Sequence, residues 1–398
     1  MLEIGIFFLA GIIIGTFTGL TPGIHTNTIN SLILSSPIII LATNPLAIVA
    51  FVVSLATTHS ILDIIPSIFL GAPNEESYLT TLPGHEMLRE GRGIEAVYLS
   101  ILGILLSIPL ILLLTPIFTK FLETILNLIS FLIPFILIFL SVYLISRENY
   151  SLTAISVFIM SGILGYCSLN TAIREPLLPL LSGLFGGSGI ILSLKEKTKI
   201  PPQKKFNFKK IIITKKEVLS SIISASIFAP LFSFLPAIGA GHAATFSTEI
   251  FPQTRKSFLI TINCINLIVN TLSFVTLYTI GKTRTGASVA VKEILNKVSF
   301  QELIFIISIS IITLLISTKI AIKTSVKFGE LISKINYRVF SIVVLIFLIL
   351  IICLFSGFWG IIIFLTGSAI GIFCIESKVR RINLMACLIL PTILIYLF

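Results

Sequence analysis

The sequence predicts an all-α, polytopic integral membrane protein: about twelve transmembrane helices plus broken or re-entrant half-helices, arranged as two inverted-topology repeats. Three observations carry this prediction. The 398 residues are 56% hydrophobic and 11% charged, with a mean hydropathy of +1.09, more apolar surface than one soluble core can hold. All four histidines, His25, His59, His85 and His242, fall in the few polar interruptions between apolar runs. One basic, Pro-bearing stretch divides the chain into halves whose interruptions recur in the same order.

The first half, 1–194, contains segments of spanning or near-spanning length at about 2–20, 26–42, 44–62, 95–115, 122–146, 151–169 and 175–194. Its start, Met1-Leu2-Glu3-Ile4, lacks the positive flank of a signal peptide, so a retained helix is expected. Residues 195–216, with Lys195, Lys197, Lys204, Lys205, Lys209, Lys210, Lys215 and Lys216, form a linker that the positive-inside rule places in the cytoplasm. The second half, 217–398, restarts at about 218–238, 240–250, 257–280, 300–318, 337–356, 358–375 and 383–398. Residues 240–250 are too short to span and 26–42 is polar at its start, so both are expected to be half-helices.

Walking outward from a cytoplasmic linker puts Lys319, Lys323, Lys327, Lys378, Arg380 and Arg381 on the cytoplasmic side. Lys292 and Lys297 come out on the other side, against the rule. Each half then holds an odd number of passes, which makes the halves inverted, the architecture that places a binding site near the midplane. The order of features repeats: a long helix, a Pro break (Pro22, Pro236), a His-bearing helix start (His25, His242), an apolar span, and a Gly-rich polar stretch from Gly71 and from Gly281.

Composition also excludes. The net charge of +11 is carried largely by loops between apolar runs, where it sets orientation, so no nucleic-acid partner is expected. The five cysteines have no ligand or disulfide spacing, and no structural metal is expected. Nucleotide-binding and hydrolase signatures are missing, so the chain is not read as an enzyme.

The expected substrate site is built from His25, Thr26, Asn27 and Thr28 after the first break and Gly239, Gly241, His242 and Thr245 after the second. Helix N-termini at membrane depth hold anionic oxygens on free N–H groups, although a polar surface turn would carry the same capping residues. Lys282 and Arg284 supply anion counter-charge or, alternatively, interfacial anchors. Asn74, Glu75, Glu76, His85 and Asp63 are expected to serve a coupling ion or proton, with a solvated loop as the competing reading. Asn263, Asn266 and Asn270, at helical spacing, are expected to join helices.

At these residues the chain resembles the large membrane subunit of the tripartite tricarboxylate transporters, the TctA family, in an archaeal, divergent branch. Gly19-Leu20-Thr21-Pro22-Gly23-Ile24-His25 is similar to that family's G-x-x-P-G break. Ser67-Ile68-Phe69-Leu70-Gly71-Ala72-Pro73, running on to Gly91, is similar to its second polar stretch, and Leu235-Pro236-Ala237-Ile238-Gly239-Ala240 is similar to its P-G-x-G-A. Ala237 stands where that pattern has glycine, and Asn74 likewise follows Pro73. The resemblance implies inverted repeats with re-entrant hairpins and cation-coupled uptake of carboxylates. It also implies an extracytoplasmic binding protein and a small membrane subunit as partners.

The expectation is therefore a multi-pass permease of the cell membrane, moving an organic anion, a carboxylate before others, coupled to Na⁺ or H⁺. A polyprenyl-phosphate or other lipid-phosphate translocase is the alternative, and a membrane-embedded enzyme a third reading. No cofactor is expected beyond Na⁺ as coupling ion; membrane lipids surround the chain, and a homodimer is compatible with it.

Overall fold

The computed structural model describes residues 2–21, 44–70, 78–195, 201–204, 213–332 and 337–398. Among them every regular element is helical. The first half contains α1 (Leu2–Leu20), α2 (Pro45–Leu62), α3 (Ile64–Leu70), α4 (Tyr78–Arg89), α5 (Gly93–Ile129), α6 (Ile133–Ser146), α7 (Ser151–Leu169), α8 (Leu177–Leu181) and α9 (Ser188–Lys195), the last two joined by a π turn over Ser182–Gly187. The second half contains α10 (Lys215–Ser233), α11 (Ala240–Ile250), α12 (Arg255–Ile280), α13 (Gly286–Leu295), α14 (Phe300–Ile332), α15 (Tyr337–Glu376) and α16 (Ala386–Leu397).

Local chemistry fixes many of these boundaries. Asn44 caps α2 by accepting from the Leu46 N–H, and Pro45 occupies the first turn, where no amide hydrogen is needed. Thr214 with Glu217, Thr254 with Ser257 and Thr285 with Ser288 form reciprocal capping boxes at the starts of α10, α12 and α13. Gly281, at φ 67°, closes α12 in the left-handed conformation that glycine adopts without steric cost.

Eight helical segments among the described residues are long and apolar enough to cross a membrane. Two carry an internal interruption. Gly93–Ser146 has 54 residues and Ser341–Glu376 has 36, roughly 80 and 54 Å of helix against about 30 Å of hydrocarbon. The first bends at a 3₁₀ turn over Ser130–Leu132, and the second turns at Gly357, whose φ of 65° and ψ of −160° are not helical. Around Gly357 the chain reverses: the Ser356 hydroxyl donates to the Glu175 carbonyl (2.9 Å), while Glu376, at the other end of the run, pairs with Lys195 (2.7 Å). The difference from about twelve spans is thus partly one of continuity, since several expected helices are fused. α10 falls short of the apolar threshold because Lys215, Lys216, Glu217 and several serines lie within its 19 residues.

Helix directions relate the two halves. α1 and α2 run parallel: Gly15 sits against Leu55 and Thr58, Gly19 against His59 and Leu62, and the Ser54 hydroxyl donates to the Phe8 carbonyl. α10 and α12 run parallel too. Ser221 donates to the Ser257 carbonyl (3.0 Å), and further along Phe232 and Ser233 meet Val269 and Asn270 around a common cavity. Each second helix then packs parallel to a helix of the opposite half. Thr58 of α2 bonds Ser317 of α14 (2.9 Å), and Phe69 meets Phe328 eleven residues on in both (ring centroids 6.1 Å). Glu95 of α5 pairs with Lys256 of α12 (3.3 Å), and Gly103 abuts the Ile260 carbonyl.

The starts of α5 and α12 lie beside the end of α14, where Ile94 touches Gly329. α12 and α14 therefore point oppositely, and so do α2 and α12. The parallel pairs α2–α14 and α5–α12 thus run in opposite directions.

One face is defined by the linker. Lys204 N–H donates to the Gly91 carbonyl (2.9 Å), Gln203 accepts from Gly93 N–H (2.8 Å), and Arg255 pairs with Glu90 (2.9 Å), which holds the Glu90 carboxyl below the usual carboxylate range. α10 leaves from this face and α11 returns to it, Glu249 pairing with Arg147 (2.6 Å). Gly281, Lys282 and Tyr396 lie at the opposite ends of their helices.

Candidate functional site

Asn270 Nδ2, near the middle of α12, lies 3.4 Å from the Ser60 hydroxyl close to the end of α2. Beside this contact is a cavity of about 270 Å³, a little below the usual range for small-molecule sites. Its walls come from both halves: Thr57 and Ser60 of α2, Asn266, Asn270 and Thr271 of α12, Ser310 of α14, Arg284 and Thr285, and the break between α10 and α11 from Leu235 to Ala240.

Pro236 and Gly239 explain the break. Proline has no amide hydrogen to continue α10, and Ala237 takes φ 59°, a left-handed conformation that costs a residue with a Cβ about 1–2 kcal/mol. The carbonyls of Leu235, Pro236, Ala237 and Ile238 accept no backbone hydrogen bond among the described residues. Such oxygens at a helix break are the usual ligands of a transported Na⁺.

The cavity's electrostatics are one-sided: among the described residues its lining holds one cation, Arg284, and no carboxylate. Arg284 is half-buried, and no acid among the described residues lies within ion-pair distance of its guanidinium; burial lowers its pKa to about 10, so it stays charged at neutral pH. Its backbone N–H is used, donating to Ser288 (3.0 Å). The Thr57 hydroxyl and the Asn266 amide also make no side-chain hydrogen bond among the described residues, whereas Thr285 is engaged by Ser273 (3.0 Å). A charged donor fork, an amide and a hydroxyl without partners make a set that a small oxyanion would satisfy.

Residues 6–386 match the tripartite tricarboxylate transporter TctA family. The chain belongs to this family. It is also 31% identical over 413 aligned positions to an uncharacterized protein of Methanocaldococcus jannaschii, the alignment covering 98% of each chain. No solved structure matches it.

In this TctA-family chain the residues singled out from sequence fall into three groups. Gly239 and Arg284 line the central cavity, while Lys282 lies beside Arg284 in a neighbouring one. Gly241, His242 and Thr245 are buried in the first turns of α11 and are not lining residues; the Thr245 hydroxyl donates to the Gly241 carbonyl (3.0 Å). Neither ring nitrogen of His242 has a hydrogen-bond partner among the described residues.

The third group stands apart, toward the linker face. Asp63 ends α2 and accepts from Ser67 (3.4 Å), and Nδ1 of half-buried His85 donates to the Ile68 carbonyl (3.1 Å). Neither lines the cavity. His25, Thr26, Asn27, Thr28, Asn74, Glu75 and Glu76 lie outside the described residues. The expected site did not include Thr57, Ser60, Thr285 or Ser310, although the first three stand in polar interruptions of the sequence, and Asn266 and Asn270 were taken for helix contacts; the signal of Asn266, Asn270 and Ser310 was a polar side chain inside an apolar span.

Proposed function

We propose that this chain is the translocating membrane subunit of a secondary transporter that carries a small organic anion, a carboxylate, in symport with Na⁺ or H⁺. The observation that carries the reading is the half-buried Arg284, without an acid partner among the described residues, in a cavity lined from both halves of the chain. A cation withdrawn from water without a partner is costly, and an anionic substrate repays that cost. The free carbonyls of the 235–238 break suit the coupling ion, and a re-entrant α10–α11 hairpin suits movement that exposes the site to either side. Tripartite operation, with a small membrane subunit and an extracytoplasmic binding protein delivering substrate, follows from family membership and extends the same reading.

The test is thermal unfolding of the purified chain against di- and tricarboxylates, inorganic phosphate and polyprenyl phosphate, each in Na⁺ and in K⁺ and at two pH values. A ligand at 100 times its Kd stabilises by about 2.7 kcal/mol. Stabilisation by carboxylates, enhanced by Na⁺ or by protons, is the expected result. Stabilisation by polyprenyl phosphate alone would replace the substrate class with a lipid, and no response to any anion would sink the proposal.

A further inference from the structure

On the side of the central cavity away from the linker lies a second one, of about 320 Å³. It is lined by Lys282, Arg284 and Lys292, by Tyr396 at the end of α16, and by Phe234 and Pro236 of the break. Among the described residues its lining holds three cations and no acid. Lys282 and Lys292 are exposed, the latter donating to the Gly281 carbonyl (2.8 Å). Arg284 borders both cavities, the outer chamber and the inner one.

Resting on the transport reading above, we propose that the outer chamber is a separate anion-docking site: Lys282 and Lys292 first capture a small di- or tricarboxylate, and Arg284 passes it to the inner cavity. The two kinds of cation suit the two steps. Ammonium groups are strongly hydrated point charges on flexible stems and hold an anion loosely, while a guanidinium fork fixes a carboxylate in two hydrogen bonds. Successive weak sites let a charged substrate move on without leaving one cation before reaching the next. A cationic funnel also raises the local anion concentration and hence the entry rate. The proposal accounts for Lys292, whose position opposite the linker runs against the charge bias that orients membrane proteins.

The experiment measures binding of citrate and succinate to the full-length chain by rapid mixing, at low and high ionic strength. The variants are Lys282→Gln, Lys282→Gln with Lys292→Gln, the two Lys→Arg counterparts, and Arg284→Gln. The double Gln variant is expected to bind on the order of 10-fold more slowly at low salt, with a flatter salt dependence, and to keep its equilibrium Kd within about 3-fold, since rim charges act chiefly on the association rate. The Arg variants should restore the rate. Lys282→Gln alone, which leaves the Lys292–Gly281 contact intact, should show part of the same slowing. If both Gln variants keep the parental rate and salt slope while Arg284→Gln abolishes binding, the outer site is overturned and the inner one stands. A double variant that loses equilibrium binding as completely as Arg284→Gln also overturns it, because the lysines would then belong to a single site. If Arg284→Gln binds as the parent does, or the parent binds neither probe, the carboxylate reading itself fails and the docking site with it.

Discussion

Arg284 is the residue on which the functional reading turns. Arg284→Gln is expected to weaken anion binding by roughly 2–5 kcal/mol, the range for removing one partner of a buried charged contact; Arg284→Lys should lose less, keeping the charge and giving up the fork. Calorimetric titration of both variants checks the order, and equal losses would mean that the fork contributes nothing. Arg284 was legible in the sequence because a cation after a long apolar span is conspicuous. The amides of Asn266 and Asn270 were harder to read, since helical spacing says which residues share a face, not whether that face meets a helix or a space. Ala237 is the opposite case. Its φ of 59° explains why the similar family pattern carries glycine there, a requirement the letters alone state without a reason. Ala237→Gly should relieve strain and raise stability by up to about 1 kcal/mol, the strain relieved exceeding the chain entropy lost. A lowered unfolding temperature in detergent would count against it.

Among the elements, the parallel pairs explain the small-residue stripes. A Cβ on Gly15 would lie 2.7 Å from the Leu55 carbonyl oxygen and 2.8 Å from Thr58 Cβ, whereas one on Gly5 would meet nothing within 4 Å. In lipid, close backbone approach of this kind takes over much of the role that apolar burial plays in water. Gly15→Val should therefore destabilise by about 1–3 kcal/mol through overpacking, and Gly5→Val should leave the unfolding temperature near the parent's. The corresponding α10 carries Ser221, Ala225 and Ala229, also buried and four residues apart. The breaks were legible because Pro236, Gly239 and Gly357 interrupt apolar runs. Which helices pair was not, because hydropathy marks a span and not its neighbour; the pairing emerges only from contacts such as Thr58 with Ser317.

For the whole molecule, the two faces are separable by experiment. Lys204 bonds the Gly91 backbone on one face, while Lys282 follows α12 at its other end. Cysteines placed at 204 and 282, in a background lacking the exposed Cys167 and Cys353, should react with an impermeant maleimide from opposite sides, position 282 in intact cells and position 204 only after lysis. Labelling of both from one side would undo the topology. The expectation of a cytoplasmic linker comes from its charge bias, which is written directly in the sequence.

The exchange of partners between halves bears on how the chain is made. Buried Thr58 finds Ser317 across 259 residues, and Glu95 reaches forward to Lys256 in the same way. Until α14 has left the ribosome, the Thr58 hydroxyl lacks its Ser317 partner, and Glu95, already paired with Arg92, waits for Lys256 of α12. Neither half can therefore mature as an autonomous domain during synthesis. A nascent chain halted before residue 300 would lack the Thr58–Ser317 contact between the halves, so completion of the fold waits on the last quarter of translation.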